Sequence, residues 1–183
     1  RHVTVTVGDA SATYGDGSAT WNDATYSVAG LQGSDTAADL TGLTCSIGYN
    51  QGDGVNAGDT TTCTGASTNA NYYIDQIIDG AVAISPQAIN ITAKPDSYVY
   101  GAAKHGDKGY NNDATYGAET LVISCTTTYA AGHGVGTADT TYCTQTLNAN
   151  PNFAITFHTG AVSITARHVT VTVGDASATY GDG

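Results

Sequence analysis

Methionine is missing from this 183-residue chain, phenylalanine occurs twice and tryptophan once. Positive charge is nearly as scarce. Five Lys and Arg stand against sixteen acids, fifteen of them Asp, for a net charge of -11. Charged residues make up 11% of the chain, less than half the usual share. A binder of phosphate backbones needs a basic face, so nucleic acid is excluded as a partner. No run of eighteen apolar residues occurs, so no membrane-spanning helix is expected. No signal peptide precedes Arg1, which opens the chain inside a strand pattern. That reads as a piece of a longer protein whose targeting or anchoring segments lie elsewhere. Helix signals are equally sparse. The best is SDTAADLTGL (34–43), where Ser34 or Asp35 caps one short turn before Gly42. Neither a phosphate-loop glycine pattern nor a nucleophile elbow is present. The five histidines (2, 105, 133, 158 and 168) have no partner at a catalytic spacing. The sequence therefore reads as that of a non-enzyme.

What is present is repetition. RHVTVTVGDASATYGDG fills positions 1–17 and returns unchanged at 167–183, a period of 166 residues. Chains of end-to-end copies serve length more often than catalysis. A second repeat lies within the first. ISPQAINITAKPDSYVYG (84–101) follows the pattern of ITARHVTVTVGDASATYG (164–181). Cys45 and Cys63 reappear 80 residues later as Cys125 and Cys143, and NDATY occurs at 22–26 and 112–116. NYYIDQIIDGAVAIS (71–85) answers NFAITFHTGAVSIT (152–165). The chain divides into module one (1–86), module two (87–166) and the opening strand and turn of a further copy (167–183).

Positions 2–7 place Val3, Val5 and Val7 on one face and His2, Thr4 and Thr6 on the other, the period-two signature of a half-buried strand. Similar runs lie at 24–29, 43–49, 59–65, 72–78 and 81–85, then at 88–93, 120–128, 139–147, 153–157 and 161–165. Turn residues such as GDGS, NQGDG and KPD separate them. The fold expected is all-β: two tandem immunoglobulin-like β-sandwich modules per 166-residue repeat, each with one intramodule disulfide. Repeated spacing favours Cys45–Cys63 and Cys125–Cys143. Each loop would stabilise its module by roughly 3 kcal/mol. Zinc would want CxxC-type pairs or a nearby His, and module one has only His2, far from its cysteines in sequence. Disulfides imply an extracellular or cell-surface location. Pro86 and Gln87 alone part the two modules, and Ala166 and Arg167 do the same at the next boundary. Connections this short leave little rotational freedom.

The pairs Tyr14-Gly15 and Tyr100-Gly101 read as structural turns, with a ring to bury and a glycine geometry to adopt. The loop QGDGVNAGD (51–59) offers Asp53, Asn56 and Asp59, oxygen ligands of the kind Ca2+ prefers. Solvated turn residues are the competing account. The module-two loop has His133 near the position of Asp53 and keeps only Asp139.

Each module opens with a strand and a Tyr-Gly pair; module one continues ATYSVAGLQGSDT; both modules end in Asn-aromatic-x-Ile, a Gly and a closing strand. That order resembles the MBG and YDG repeats of large bacterial surface proteins and filamentous-haemagglutinin-type adhesins. Module two departs from it, since the Gly-Leu…Asp-Thr segment is largely missing. The resemblance implies extracellular stalk or spacer modules and carries no catalytic residues. The expected function is a structural tandem-repeat segment of a bacterial adhesin stalk or surface filament. Its partners are then neighbouring copies of itself, in series or in lateral filament contacts, with glycans as a further class. The alternatives are a lectin-like or ice-binding repeat, and a filament subunit completed by a donated β-strand.

Overall fold

A computed structural model of the chain describes residues 1–117, 119, 121–145 and 150–181. Thr120, Thr146 and Leu147, at the ends of two expected strands, lie outside the described residues, as do Asp182 and Gly183 of the terminal copy. In the first part run β1 (His2–Val7), β2 (Ala10–Thr13), β3 (Thr20–Trp21), β4 (Tyr26–Ala29), a 3-10 turn (Ala37–Asp39), β5 (Leu43–Ile47), β6 (Thr60–Gly65), β7 (Tyr73–Ile78) and β8 (Gly80–Ser85). After Pro86 come β9 (Gln87–Ala93), β10 (Asp96–Val99), β11 (Tyr110–Asn112), β12 (Ile123–Thr127), β13 (Thr140–Gln145), β14 (Phe153–His158) and β15 (Gly160–Thr165). The fold is all-β with several sheets.

The sheets run β4-β1-β7, β3-β2-β8-β6-β5, β11-β9-β14 and β10-β15-β13-β12. Alternation decides which residues are inside. Val3, Val5 and Val7 of β1 are buried, as are Ile89, Ile91 and Ala93 of β9. The expected short turn is capped one to two residues later than its sequence signals suggest. Thr36 is the N-cap, and the Asp39 carboxylate accepts from its backbone N–H at 2.7 Å.

The described residues form two compact units. Unit one is Arg1–Ile91, Asn112–Ile123 and Gln145–Phe157; unit two is Thr92–Asn111, Ser124–Thr144 and His158–Gly183. In unit one Val3, Val5, Leu40 and Tyr72 form a core, with Tyr26, Leu31 and Ile74 packed on it. In unit two the stacked rings of Tyr98 and Tyr129 pack with Ile164, their centroids 3.7 Å apart.

The chain switches sheets midway through two strand pairs. β1 runs parallel to β7, and β2 runs parallel to β8 in another sheet. The crossing is at Gly8 and Gly80, where the buried Thr61 Oγ1 donates to the Gly8 carbonyl at 2.7 Å. A Cβ on Gly80 would stand 2.5 Å from that oxygen and 2.7 Å from the Gly8 carbonyl. Only glycine fits there. The later copy repeats the device: Thr141 Oγ1 donates to the Lys94 carbonyl at 2.8 Å, and Gly160 lies against Thr141 and Ala93.

Residues 168–173, the sequence copy of β1, form no strand and are exposed. In β1 the same residues gain β4 on one side and β7 on the other. No strand flanks 168–173 among the described residues.

Candidate functional site

Both disulfides join the expected partners, Cys45–Cys63 and Cys125–Cys143. Cys45 and Cys63 face each other across the antiparallel pair β5–β6, with Cα atoms 3.9 Å apart. The bond is a staple between neighbouring strands. Among the described residues no cysteine is free and no cluster of three His, Cys, Asp or Glu is arranged to hold a metal.

The acidic loop precedes β6. Asp53 Oδ2 accepts from the Asn50 backbone N–H at 2.5 Å and from Asn50 Nδ2 at 3.0 Å. Asp59 feels the Asp53 charge, and its Oδ2 is buried with no hydrogen-bond partner. Burial pushes the Asp59 carboxyl above the usual range, and the Asp53 charge adds to this. Asn56 is exposed on the turn between them. In unit two the same turn carries His133, whose Nδ1 is 2.8 Å from Asp139 Oδ2. Thr128 Oγ1 donates to Asp139 Oδ1 at 2.8 Å. Burial pushes Asp139 up, but the hydrogen bonds from His133 and Thr128 outweigh it and the carboxyl ends below its ordinary value. One turn thus holds a carboxylate pair in its first copy and a carboxylate–imidazole pair in its second.

The tyrosine turns are built alike in both copies. Gly15 and Gly101 have φ of 85° and 77°, the left-handed region that favours glycine. Tyr14 N–H donates to the Ser85 carbonyl and Tyr100 N–H to that of Thr165, both at 2.8 Å. Tyr49 Oη donates to the Asp16 carbonyl at 2.9 Å, as Tyr129 Oη does to that of Ala102 at 3.0 Å.

Unit one supplies Tyr14 with a seat. Its ring meets Tyr116 and Phe153 edge-on, each with centroids 5.5 Å away. Its hydroxyl donates to Glu119 Oε1, and Asn150 Nδ2 donates to the other carboxylate oxygen. A Cβ on Gly15 would lie 2.5 Å from that of Tyr116. The Val55 N–H donates to Asn152 Oδ1 at 3.0 Å. The hydrogen bond to Glu119, then burial, push the Tyr14 hydroxyl up to about 12. Pro86 and Gln87 adjoin this seat, with the Gln87 N–H on the Asn152 carbonyl at 2.9 Å and Gln87 Oε1 accepting from the Tyr116 N–H at 3.1 Å. Ala166 is exposed, and Arg167 Nε donates to the Tyr100 carbonyl at 3.0 Å.

Sequence reasoning found the tyrosines and missed their seat. Glu119 was the available signal, as the one glutamate among sixteen acids. The two NDATY copies are also not equivalent in place. The first ends at Tyr26, which opens β4, whereas the second begins with Asn112, which closes β11. Asp96 makes another histidine pair, with His105 Nδ1 at 2.9 Å and Lys108 Nζ at 3.6 Å.

No protein family, curated protein or solved structure matches this chain.

Proposed function

We propose that this chain is a structural tandem-repeat segment, a semi-rigid spacer in a bacterial extracellular stalk or surface filament of the MBG/YDG type. Its two immunoglobulin-like modules are the beads, and copies of the 166-residue repeat follow one another in series. The observation that carries the reading is the pairing of entry and exit strands. Where the chain enters, β1 and β2 run; where it leaves, β7 and β8 run parallel to them and hydrogen-bonded. In the second copy β10 runs parallel to β15. A pull on the two ends therefore shears a whole row of bonds at once instead of peeling them singly. Pro86 is the only residue between β8 and β9, so little slack separates the beads. Each disulfide closes a separation of 18 residues and limits how far its module can extend. Two disulfides suit an oxidising compartment outside the cell. No helix among the described residues is long and apolar enough to cross a membrane.

The lectin-like or ice-binding alternative finds less support. Thr61 and Thr127 point inward while Thr60 and Thr126 are exposed, so consecutive threonines make no flat row. Strand donation has one observation in its favour, the exposed valines at 169, 171 and 173.

A reducing denaturing gel of the native material separates these readings. A covalent array gives very large species; strand donation gives one discrete small subunit. A glycan array and an ice-recrystallisation assay on the 183-residue chain should both be blank. Specific binding in either would overturn the spacer reading.

A further inference from the structure

The seat of Tyr14 has two halves, a tip that carries the tyrosine and a hollow that receives it. Among the described residues each half has a counterpart built the same way and not joined to its complement.

The second tip is Tyr100-Gly101 in unit two. Its backbone and brace repeat those of Tyr14, through the Thr165 carbonyl and the Tyr129 hydroxyl. Yet Tyr100 is 46% exposed where Tyr14 is 4% exposed, and Val135, the counterpart of Val55, is 64% exposed.

The second hollow lies in unit one, about 330 Å³ in volume and lined by Arg1, Gln32, Asp35, Asn71 and Tyr72. Hydrogen bonds fix its correspondence to the Tyr14 seat. Asn71 N–H donates to Asn69 Oδ1 and Asn152 N–H to Asn150 Oδ1, both at 3.0 Å. Tyr72 N–H donates to the Asn69 carbonyl and Phe153 N–H to that of Asn150, both at 3.1 Å. Arg1 Nε donates to the Gly30 carbonyl as Gln87 Nε2 does to that of Ala114. Two residues on from these carbonyls are Gln32 and Tyr116, and five on are Asp35 and Glu119. The carboxylate that takes the tyrosine hydroxyl in the filled seat therefore has a counterpart in the open one. Asp35 Oδ2 there accepts from the Tyr72 hydroxyl at 2.5 Å, and Phe153, in the place of Tyr72, has no hydroxyl to offer. Arg1 adds a cation beside the rim.

We infer that the hollow at Arg1, Gln32, Asp35, Asn71 and Tyr72 receives Tyr100 of the preceding copy of this repeat. The junction between repeats then has the same construction as the Tyr14 seat. The Tyr100 ring meets Tyr72 edge-on, its hydroxyl reaches Asp35, and Gly101 permits the close approach. A buried aromatic ringed by polar contacts is the usual anchor of a protein interface. The inference rests on the tandem reading, because it needs a second copy placed at Arg167.

The test uses a chain lengthened to two complete repeats. A Tyr100→Cys change in the first repeat is combined with Gln32→Cys in the second, and mild oxidation is followed by peptide mapping. Tyr14→Cys with Tyr116→Cys, across the filled seat, is the benchmark. The junction is supported when the inter-repeat bond forms at half the benchmark yield or more; a smaller yield overturns it. Tyrosine nitration of the unsubstituted chains gives a reading free of folding defects. Going from one repeat to two should halve the nitrated fraction of Tyr100, because one of its two copies is covered. An unchanged fraction overturns the junction. The spacer reading fails separately, if the lengthened chain is no longer than the single repeat in solution scattering or if the single repeat binds glycan.

Discussion

The hydroxyl proton of Tyr14 is held by Glu119 in a seat that leaves the residue 4% exposed. Its folded pKa of about 12 exceeds the ordinary tyrosine value of about 10. A group raised in this way contributes stability that is whole below the unfolded pKa and is lost as pH rises through the folded one. The chain should therefore lose stability between pH 10 and about 12, the window those two values define. Tyr14→Phe keeps the ring contacts and removes the proton. It should cost about 1–2 kcal/mol at pH 8 and flatten that alkaline loss, read from urea midpoints. An alkaline profile identical to wild type would refute the role given to Glu119. Asp59 poses the opposite question, a carboxyl raised by burial beside Asp53. The fold favours its protonated form, so ionisation costs stability once pH rises past the unfolded value. Asp59→Asn should raise the urea midpoint at pH 7 and give no gain at pH 3. Repeating the titration in millimolar Ca2+ tests Asp53 and Asp59 as cation ligands, whose signature is a rise confined to the wild-type chain. Neither effect could be read from sequence. Spacing shows that Tyr14 and Asp59 recur, but only the fold shows which carboxylate each one meets.

At the scale of elements, legibility follows sequence distance. β1, β6, β8, β9 and β15 emerge within a residue of their expected ends because alternation is a local signal. The disulfides follow from a repeated separation of 18. β2, β3, β10 and β11 carry too few residues for a period to show, although β3 pairs Trp21 with Ala10. The parallel pairing of entry and exit strands is not local at all. It joins His2 to Tyr73, and nothing near either residue announces it. The glycine that permits the crossing looks like any other turn glycine. This gives a sharp contrast between two substitutions. Gly80→Ala puts a methyl group into the Thr61 hydroxyl and the Gly8 carbonyl. It should destabilise by about 3 kcal/mol, the scale of a disrupted core. Gly17 has open space around it, so Gly17→Ala should stay within about 0.5 kcal/mol of wild type. Equal thermal midpoints for the two variants would remove the crossing as a structural constraint.

Across the whole molecule, one strand sequence exists in two states, at 2–7 and at 168–173. Val3, Val5 and Val7 are 2%, 0% and 3% exposed, whereas Val169, Val171 and Val173 are 79%, 81% and 85% exposed. Identical side chains with opposite burial mean that local propensity does not decide the outcome; the flanking strands do. Burying each valine is worth about 1.5–3 kcal/mol, so the second copy has a strong drive to pair once partners for it exist. Hydrogen exchange reads this directly. In the 183-residue chain the amides of 168–173 should exchange at nearly unprotected rates while those of 2–7 are slow. When residues 18–166 are appended after Gly183, the two sets should become equally protected, because each then lies between its own counterparts of β4 and β7. Continued fast exchange at 168–173 in the lengthened chain would mean that the copy does not begin a new module. Protection that appears in the unextended chain as its concentration rises, together with growth in sedimentation, would instead assign the segment to the groove of another molecule. The groove that holds residues 2–13 cannot tell them from 168–179, so covalent continuation and strand exchange draw on the same contacts. Which of them builds the assembly then depends on whether the chain continues past Gly183.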